Sequence, residues 1–215
     1  MNLNKYIEHT LLKQDATKAE ITKLLDEAIQ YDFLGVCVNP CNVKYAKEYL
    51  KNSAVKVVTV IGFPLGQNTK EVKILETIDA IKNGADEIDM VINVGLLKDK
   101  AYEAIVDEIS AIKLACQGHN LKVILETDLL SQDEIKKACE LCIEAKADLV
   151  KTSTGFVKNG VGAKAEDVAL MFNTVKDAGM QVKASGGIRD KEAALKMIEA
   201  GAVRLGTSSG VKIVS

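Results

Sequence analysis

The sequence lacks the features that would carry it to a macromolecule or a membrane. Lys and Arg never gather into a run with interleaved aromatics, aromatic residues are only 4% of the chain, and the formal net charge is −2. Together with a pI near 5.8, this excludes the basic footprint of a nucleic-acid-binding domain. The longest apolar stretches, VKVVTVIGF and MVINVGLL, fall far short of the ~20 residues that cross a bilayer. The start, MNLNKYIEHT, has no apolar signal core, so a cytoplasmic chain is expected. Cysteines are few and odd in number (Cys37, Cys41, Cys116, Cys139, Cys142), which argues against a disulfide framework. CELC at 139–142 has C-x-x-C spacing, but it sits in an amphipathic helical pattern with no second pair and reads as structural. Neither the two histidines nor the cysteines cluster as ligands, so no metal and no cofactor are expected. No Pro/Ser/Gly-rich linker interrupts the chain, and residues 1–215 read as one domain.

What is present is one unit, repeated. Short runs rich in β-branched residues alternate with periodic helical stretches: YIEHTLL, LGVCV, VKVVTVIG, DEIDMVIN, LKVILET, DLVKTS, MQVKAS and VRLGTS read as eight strands. Helix starts are marked at Thr17–Glu20, at Asn68–Glu71 with Asn68 as the cap, and at Ser131–Glu134. Stops recur as NGADEID, AKADLVK and AGAVRLG, two of which place Gly where a helix ends. Both prolines, Pro40 and Pro64, fall directly after strands. Eight continuous apolar strands, each followed by a helix, imply a parallel sheet covered by helices, and eight is the number that closes it. The predicted fold is an α/β, (β/α)8 TIM barrel. An open doubly wound sheet is the alternative, weakened by the missing G-x-G-x-x-G turn.

In such a barrel the chemistry lies at the C-terminal strand ends. Those ends offer Glu8 and His9, Cys37 and Asn39, Asp89, Glu126 and Asp128, Lys151, and Lys183. A buried lysine is costly unless it is paired or neutralised, so Lys151 and Lys183 on adjacent strands, with Asp89 on a third, read as a functional group rather than as side chains snorkelling to water. The loops ASGGIRD and GTSSGVK follow the seventh and eighth strands, where barrels commonly bind phosphate through backbone N–H groups. A lysine beside another cation, near a phosphate clamp, suggests Schiff-base chemistry on a small phosphosugar.

Five motifs in order, DEIDMVINVG, KVILET, VKTSTGF, VKASGGIR and RLGTSSG, resemble the deoxyribose-phosphate aldolases, a family of class I aldolases. The resemblance implies reversible cleavage of 2-deoxy-D-ribose 5-phosphate to acetaldehyde and D-glyceraldehyde 3-phosphate without a metal, on small-molecule partners only, and it leaves room for a homodimer. It implies that Lys151 is the Schiff-base nucleophile, that Lys183 tunes it, and that Asp89 takes part in proton transfer. It further implies that Gly155, Gly186, Gly187, Ser208 and Ser209 hold the phosphate. Physical chemistry is compatible with these roles. At pH 7 only about one free lysine in 2,500 is an amine. A bare cation ~6 Å away at an effective dielectric of ~20 would disfavour the ammonium by roughly 2.8 kcal/mol, about two pKa units.

Three features depart from the family pattern. Glu8 stands where Asp is usual, Phe156 where some members carry a lysine, and the sequence stops at Ser215 without an aromatic-ended tail. Two other readings use the same residues: a barrel isomerase or synthase with Asp89 and a lysine as acid and base, or a phosphosugar-binding protein that needs only the glycine loops.

Overall fold

The strands close on themselves in the computed structural model, which describes residues 2–215. The first half runs β1 (Ile7–Leu11), α1 (Lys18–Gln30), β2 (Gly35–Val38), α2 (Val43–Tyr49), β3 (Lys56–Ile61), α3 (Lys70–Lys82) and β4 (Glu87–Val91). It continues with α4 (Val94–Lys98), α5 (Tyr102–Ala115), β5 (Asn120–Ile124), α6 (Gln132–Glu144) and β6 (Leu149–Lys151). The chain finishes with α7 (Ala165–Val175), β7 (Gln181–Ser185), α8 (Lys191–Glu199), β8 (Ala202–Thr207) and α9 (Gly210–Val214). Strands adjacent in sequence are adjacent in the sheet, and β8 returns to β1 with Ile7 opposite Leu205 and Glu8 opposite Gly206. The predicted (β/α)8 barrel is therefore the observed one, and closure rules out the open doubly wound sheet. No helix among the described residues is long and apolar enough to cross a membrane.

The helix starts follow from local chemistry. Thr17 and Ser131 each form the full reciprocal box, the side chain accepting from the N–H of Glu20 or Glu134 while that glutamate accepts from the cap's own N–H. At α3 the cap is one residue later than the sequence suggested. Thr69, not Asn68, accepts from the N–H of Val72, and a helix has room for only one residue in that half-extended position. Gly84 and Gly201 follow α3 and α8 at φ of 103° and 111°, whereas Lys146 takes the left-handed position after α6. Cys139 and Cys142 are buried free thiols on α6.

The strands are not the continuous apolar runs that were expected. They alternate. Ile7, Val36, Val57, Ile88, Leu121, Val123, Val150, Val182 and Leu205 belong to one large apolar cluster that joins the sheet to the helices. The intervening residues turn into the lumen. There Leu12, Cys37, Val58 and Val60 form a small separate cluster near β2 and β3, while β4 to β8 and β1 supply Glu87, Asp89, Lys122, Lys151, Lys183, Arg204 and Glu8. Between Val182 and Lys183 the pairing with β8 slips by one residue, so that Lys183 lies opposite Arg204. A bulge of this kind re-aims the side chains beyond it.

Candidate active site

Lys151 ends β6, Lys183 lies beside it on β7, and the two are partners in the strand register. Their ammonium groups converge on one atom: Nζ of Lys151 donates to Oδ2 of Asp89 at 2.8 Å and Nζ of Lys183 donates to the same oxygen at 2.7 Å. The structure thus brings together the three residues singled out for catalysis, and all three are buried. Nζ of Lys183 also donates to Glu8.

Two further participants were not anticipated. Lys122 on β5 is fully buried. It donates to Oδ1 of Asp89 at 3.0 Å and lies 2.6 Å from Oε2 of Glu87. Glu87 in turn is 2.6 Å from Nζ of Lys56 and 3.8 Å from Arg204. Asp89 is therefore the hub of a lattice in which three buried lysines surround one aspartate. Burial alone would raise its carboxyl, but Lys122, Lys151 and Lys183 together hold it well below the usual carboxylate range. Burial would likewise lower Lys183, but Asp89 and Glu8 outweigh it and the ammonium is raised instead. Lys183, bonded to Glu8 as well, thus faces Lys151 across the single carboxylate of Asp89 rather than as the bare cation assumed above. Nearby, burial pushes the Cys37 thiol up to about 11, so it is no nucleophile at neutral pH.

Above this lattice opens a cavity of about 750 Å³, lined by Lys151, Ser153, Gly155, Gly186, Gly187 and Ser208 among others. Four of the five residues assigned to phosphate thus share a cavity with Lys151. Ser209 does not. It lines the neighbouring cavity with His9, Glu27 and Lys212, and its N–H donates to Oγ1 of Thr207. Ser153 was overlooked; it lines the same cavity, and its buried Oγ has no hydrogen-bond partner. Lys13 and Arg189 also line the cavity and are the cations at its mouth. Phe156 lies at the rim, its ring edge-on to Phe63 at 5.2 Å.

The walls are built by close backbone approach. A Cβ on Gly206 would lie 3.1 Å from Cε of Lys183, and one on Gly162 would lie 2.4 Å from the carbonyl carbon of Gly186. The loops after β6 and β7 therefore cross glycine on glycine, and the N–H of Ala163 donates to the carbonyl of Gly186 at 3.0 Å. Asp128, in the loop after β5, accepts from the N–H of Gly162 at 2.8 Å. Glu126, in a left-handed backbone conformation, accepts from the N–H of Thr154 at 3.0 Å. Both acidic residues near the fifth strand end thus fasten loops rather than line the lysine pocket. His9 is engaged with Glu27 at 2.8 Å.

A model of the DeoC/LacD family aldolases matches residues 4–215. The chain belongs to this aldolase family. It is 56% identical over 214 residues to deoxyribose-phosphate aldolase 1 of Mesoplasma florum, covering 100% of this chain and 96% of that one. It is 57% identical to the deoxyribose-phosphate aldolase of Finegoldia magna, covering 100% and 99%. Among solved structures, the deoxyribose phosphate aldolase of Aeropyrum pernix, described as a unique tetramer, superposes with a TM-score of 0.91 at 37% identity, covering 99% of this chain and 89% of that one. Family membership makes the chain a carbon–carbon lyase and makes its ion lattice part of an aldolase barrel.

Proposed function

We propose that this chain reversibly cleaves 2-deoxy-D-ribose 5-phosphate to acetaldehyde and D-glyceraldehyde 3-phosphate, with Lys151 as the covalent nucleophile. The observation that carries the reading is the shared oxygen: Lys151 and Lys183 both donate to Oδ2 of Asp89 at the floor of the glycine-walled cavity. Of these lysines, Lys151 is the one that also lines the cavity, so its amine can reach a carbonyl there.

The steps follow from that placement. The Lys151 amine adds to the C1 aldehyde, and loss of water gives an iminium. The C2–C3 bond then breaks, its electrons passing into the iminium to give an enamine, while the C3 hydroxyl loses its proton and becomes the aldehyde of the three-carbon product. Protonation of the enamine at C2 and hydrolysis release acetaldehyde and return the amine. Asp89, bonded to both Nζ atoms through one oxygen, keeps them in place and is the group through which a proton would pass between Lys151 and Lys183. The phosphate rests on backbone donors of Gly186, Gly187 and Gly155 and on Ser208, with Ser209 reached only if the loop after β8 turns inward. No step calls for a metal or other cofactor.

Trapping tests this. Borohydride with 2-deoxyribose 5-phosphate should add the reduced adduct to Lys151, located by peptide mass spectrometry. Label on Lys183 would reverse the roles, and no label would favour the isomerase reading. We further propose a homodimer as the working unit, in keeping with the oligomeric Aeropyrum pernix relative.

A further inference from the structure

The mouth of the barrel is divided. Besides the cavity above the lysines, a second cavity of about 400 Å³ lies at the same end of the strands, lined by Leu65, Val91, Val94, Leu129 and Val157 among others. Val91 ends β4 two residues beyond Asp89, and alternation along a strand puts these two side chains on the same, inner face of the sheet. The second cavity therefore stands over the lumen, beside the ion lattice. Among the described residues, only Thr154 and Phe156 line both cavities.

The ring of Phe156 is held where it stands. Gly155, just before it, takes a left-handed φ of 83°, a turn that glycine makes at no steric cost. The N–H of Phe156 donates to Oγ1 of Thr154 at 3.1 Å, and Thr154 is itself fastened to Glu126 through its N–H, at 3.0 Å, and its hydroxyl. On its other side the ring meets Phe63 edge-on, and Phe63 packs on the lumen cluster of Leu12, Cys37, Val58 and Val60. Phe63 follows β3 and Phe156 follows β6, so the pair spans the mouth as a partition.

The two compartments suit different molecules. The larger holds Lys151, the glycine loops, Lys13 and Arg189. The smaller is lined by no cation, and its polar side chains are already engaged: Gln67 donates to Asn93 at 3.1 Å, and Thr154 donates to Glu126. Apolar walls without free polar groups fit a hydrocarbon chain and penalise a phosphate, which would lose its hydration there. We propose that Phe156 determines which aldehydes react at Lys151: its ring confines them to the glycine-walled compartment and shuts out those whose alkyl or aryl tail needs the apolar one. The inference rests on the aldolase reading above.

The synthetic direction tests it, in which the enamine formed from acetaldehyde bonds to the carbonyl carbon of a second aldehyde, whose oxygen gains a proton. Initial rates on the full chain are compared for D-glyceraldehyde 3-phosphate, propanal and 3-phenylpropanal, with far-UV circular dichroism as the check on folding. Phe156→Ala should raise kcat/KM for 3-phenylpropanal relative to propanal by roughly tenfold to a hundredfold. Phe156→Leu should give a smaller rise, and Phe156→Tyr, which keeps the ring, should give none. Adding Leu129→Trp to Phe156→Ala refills the apolar compartment and should bring the ratio back. Wild type that joins acetaldehyde to none of the three would overturn the aldolase reading and this inference with it. An active, folded Phe156→Ala with the wild-type ratio would overturn only the inference. So would a gain that survives Leu129→Trp, because the new room would then lie elsewhere.

Discussion

The two faces of the barrel sheet are made by alternate residues of the same strands, yet they are chemically opposite. The outer face, Ile88, Leu121, Val123 and Val150 among others, is buried with apolar residues of the helices. The inner face of β4 to β8 and β1 holds a lattice of carboxylates and ammonium groups, with Asp89 touching three lysines. Burying paired charges is weak support for stability, because desolvation cancels much of their attraction. Burying aliphatic surface is strong support, at about 25 cal/mol per Å². The outer face thus holds the fold together, and the inner face is free to be selected for chemistry.

The sharpest break between the faces should come at Lys151. Lys151→Arg keeps a cation near Asp89 but cannot form an imine, so retro-aldol kcat/KM should fall by on the order of 10⁴-fold while thermal unfolding remains cooperative. Substantial residual turnover by a coupled aldehyde assay would remove Lys151 from the covalent role. The opposite signature belongs to Leu121, fully buried on the outer face of β5. Leu121→Ala should cost about 2–5 kcal/mol in urea unfolding, with kcat per folded molecule nearly unchanged; a matching collapse in kcat would mean the faces are not separable.

A pH titration of stability sharpens the comparison from the inner side. Burial alone would raise the Glu87 carboxyl, but Lys122 and Lys56 bring it down from 4.5 to about 2. A depressed carboxylate contributes stability above its unfolded value and loses it as pH falls through its folded one. The stability gap between wild type and Glu87→Gln should therefore narrow by roughly 3 kcal/mol between pH 5 and pH 2. A gap that stays constant with pH would show that the Lys122 contact contributes nothing to folding. Smallest is the effect expected at Lys183. Lys183→Leu removes one of the two ammonium groups that share Oδ2 of Asp89, and kcat/KM at neutral pH should drop by about a hundredfold, with Lys183→Arg retaining more because it keeps the cation. An arginine variant no more active than the leucine one would mean that the charge at this position is not what the reaction uses.

The alternation of strands and helices, the boxes at Thr17 and Ser131, and the Lys151–Lys183–Asp89 group were all legible in the sequence. Lys122 and Glu87 were not. In LKVILET and DEIDMV a charged residue alternating with apolar ones has the pattern of a half-exposed strand, and nothing local tells a lysine facing water from one facing a sealed lumen. Only closure of the sheet makes that distinction, because it leaves the second face no solvent. Ser153 was hidden for a different reason: its signal is a missing hydrogen bond, which exists only once neighbours are placed. Ser209 adjoins Ser208 in the chain, but Ser208 lines both cavities whereas Ser209 lines only the neighbouring one, a parting that depends on how the loop after β8 is placed.

The crossing of the loops at Gly162 and Gly186 makes the rim of the cavity a mechanical linkage. Asp128 accepts from the N–H of Gly162, Gly162 lies against Gly186, and Gly186 is among the residues proposed to hold phosphate. A load placed on the loop after β7 is therefore passed to the segment after β6, the same stretch of chain that begins at Lys151. On the proposed assignment, the loop that would hold the substrate's phosphate lies against the segment that follows the strand bearing Lys151. An aldehyde lacking the phosphate would leave that linkage slack and be turned over more slowly even when it saturates the site.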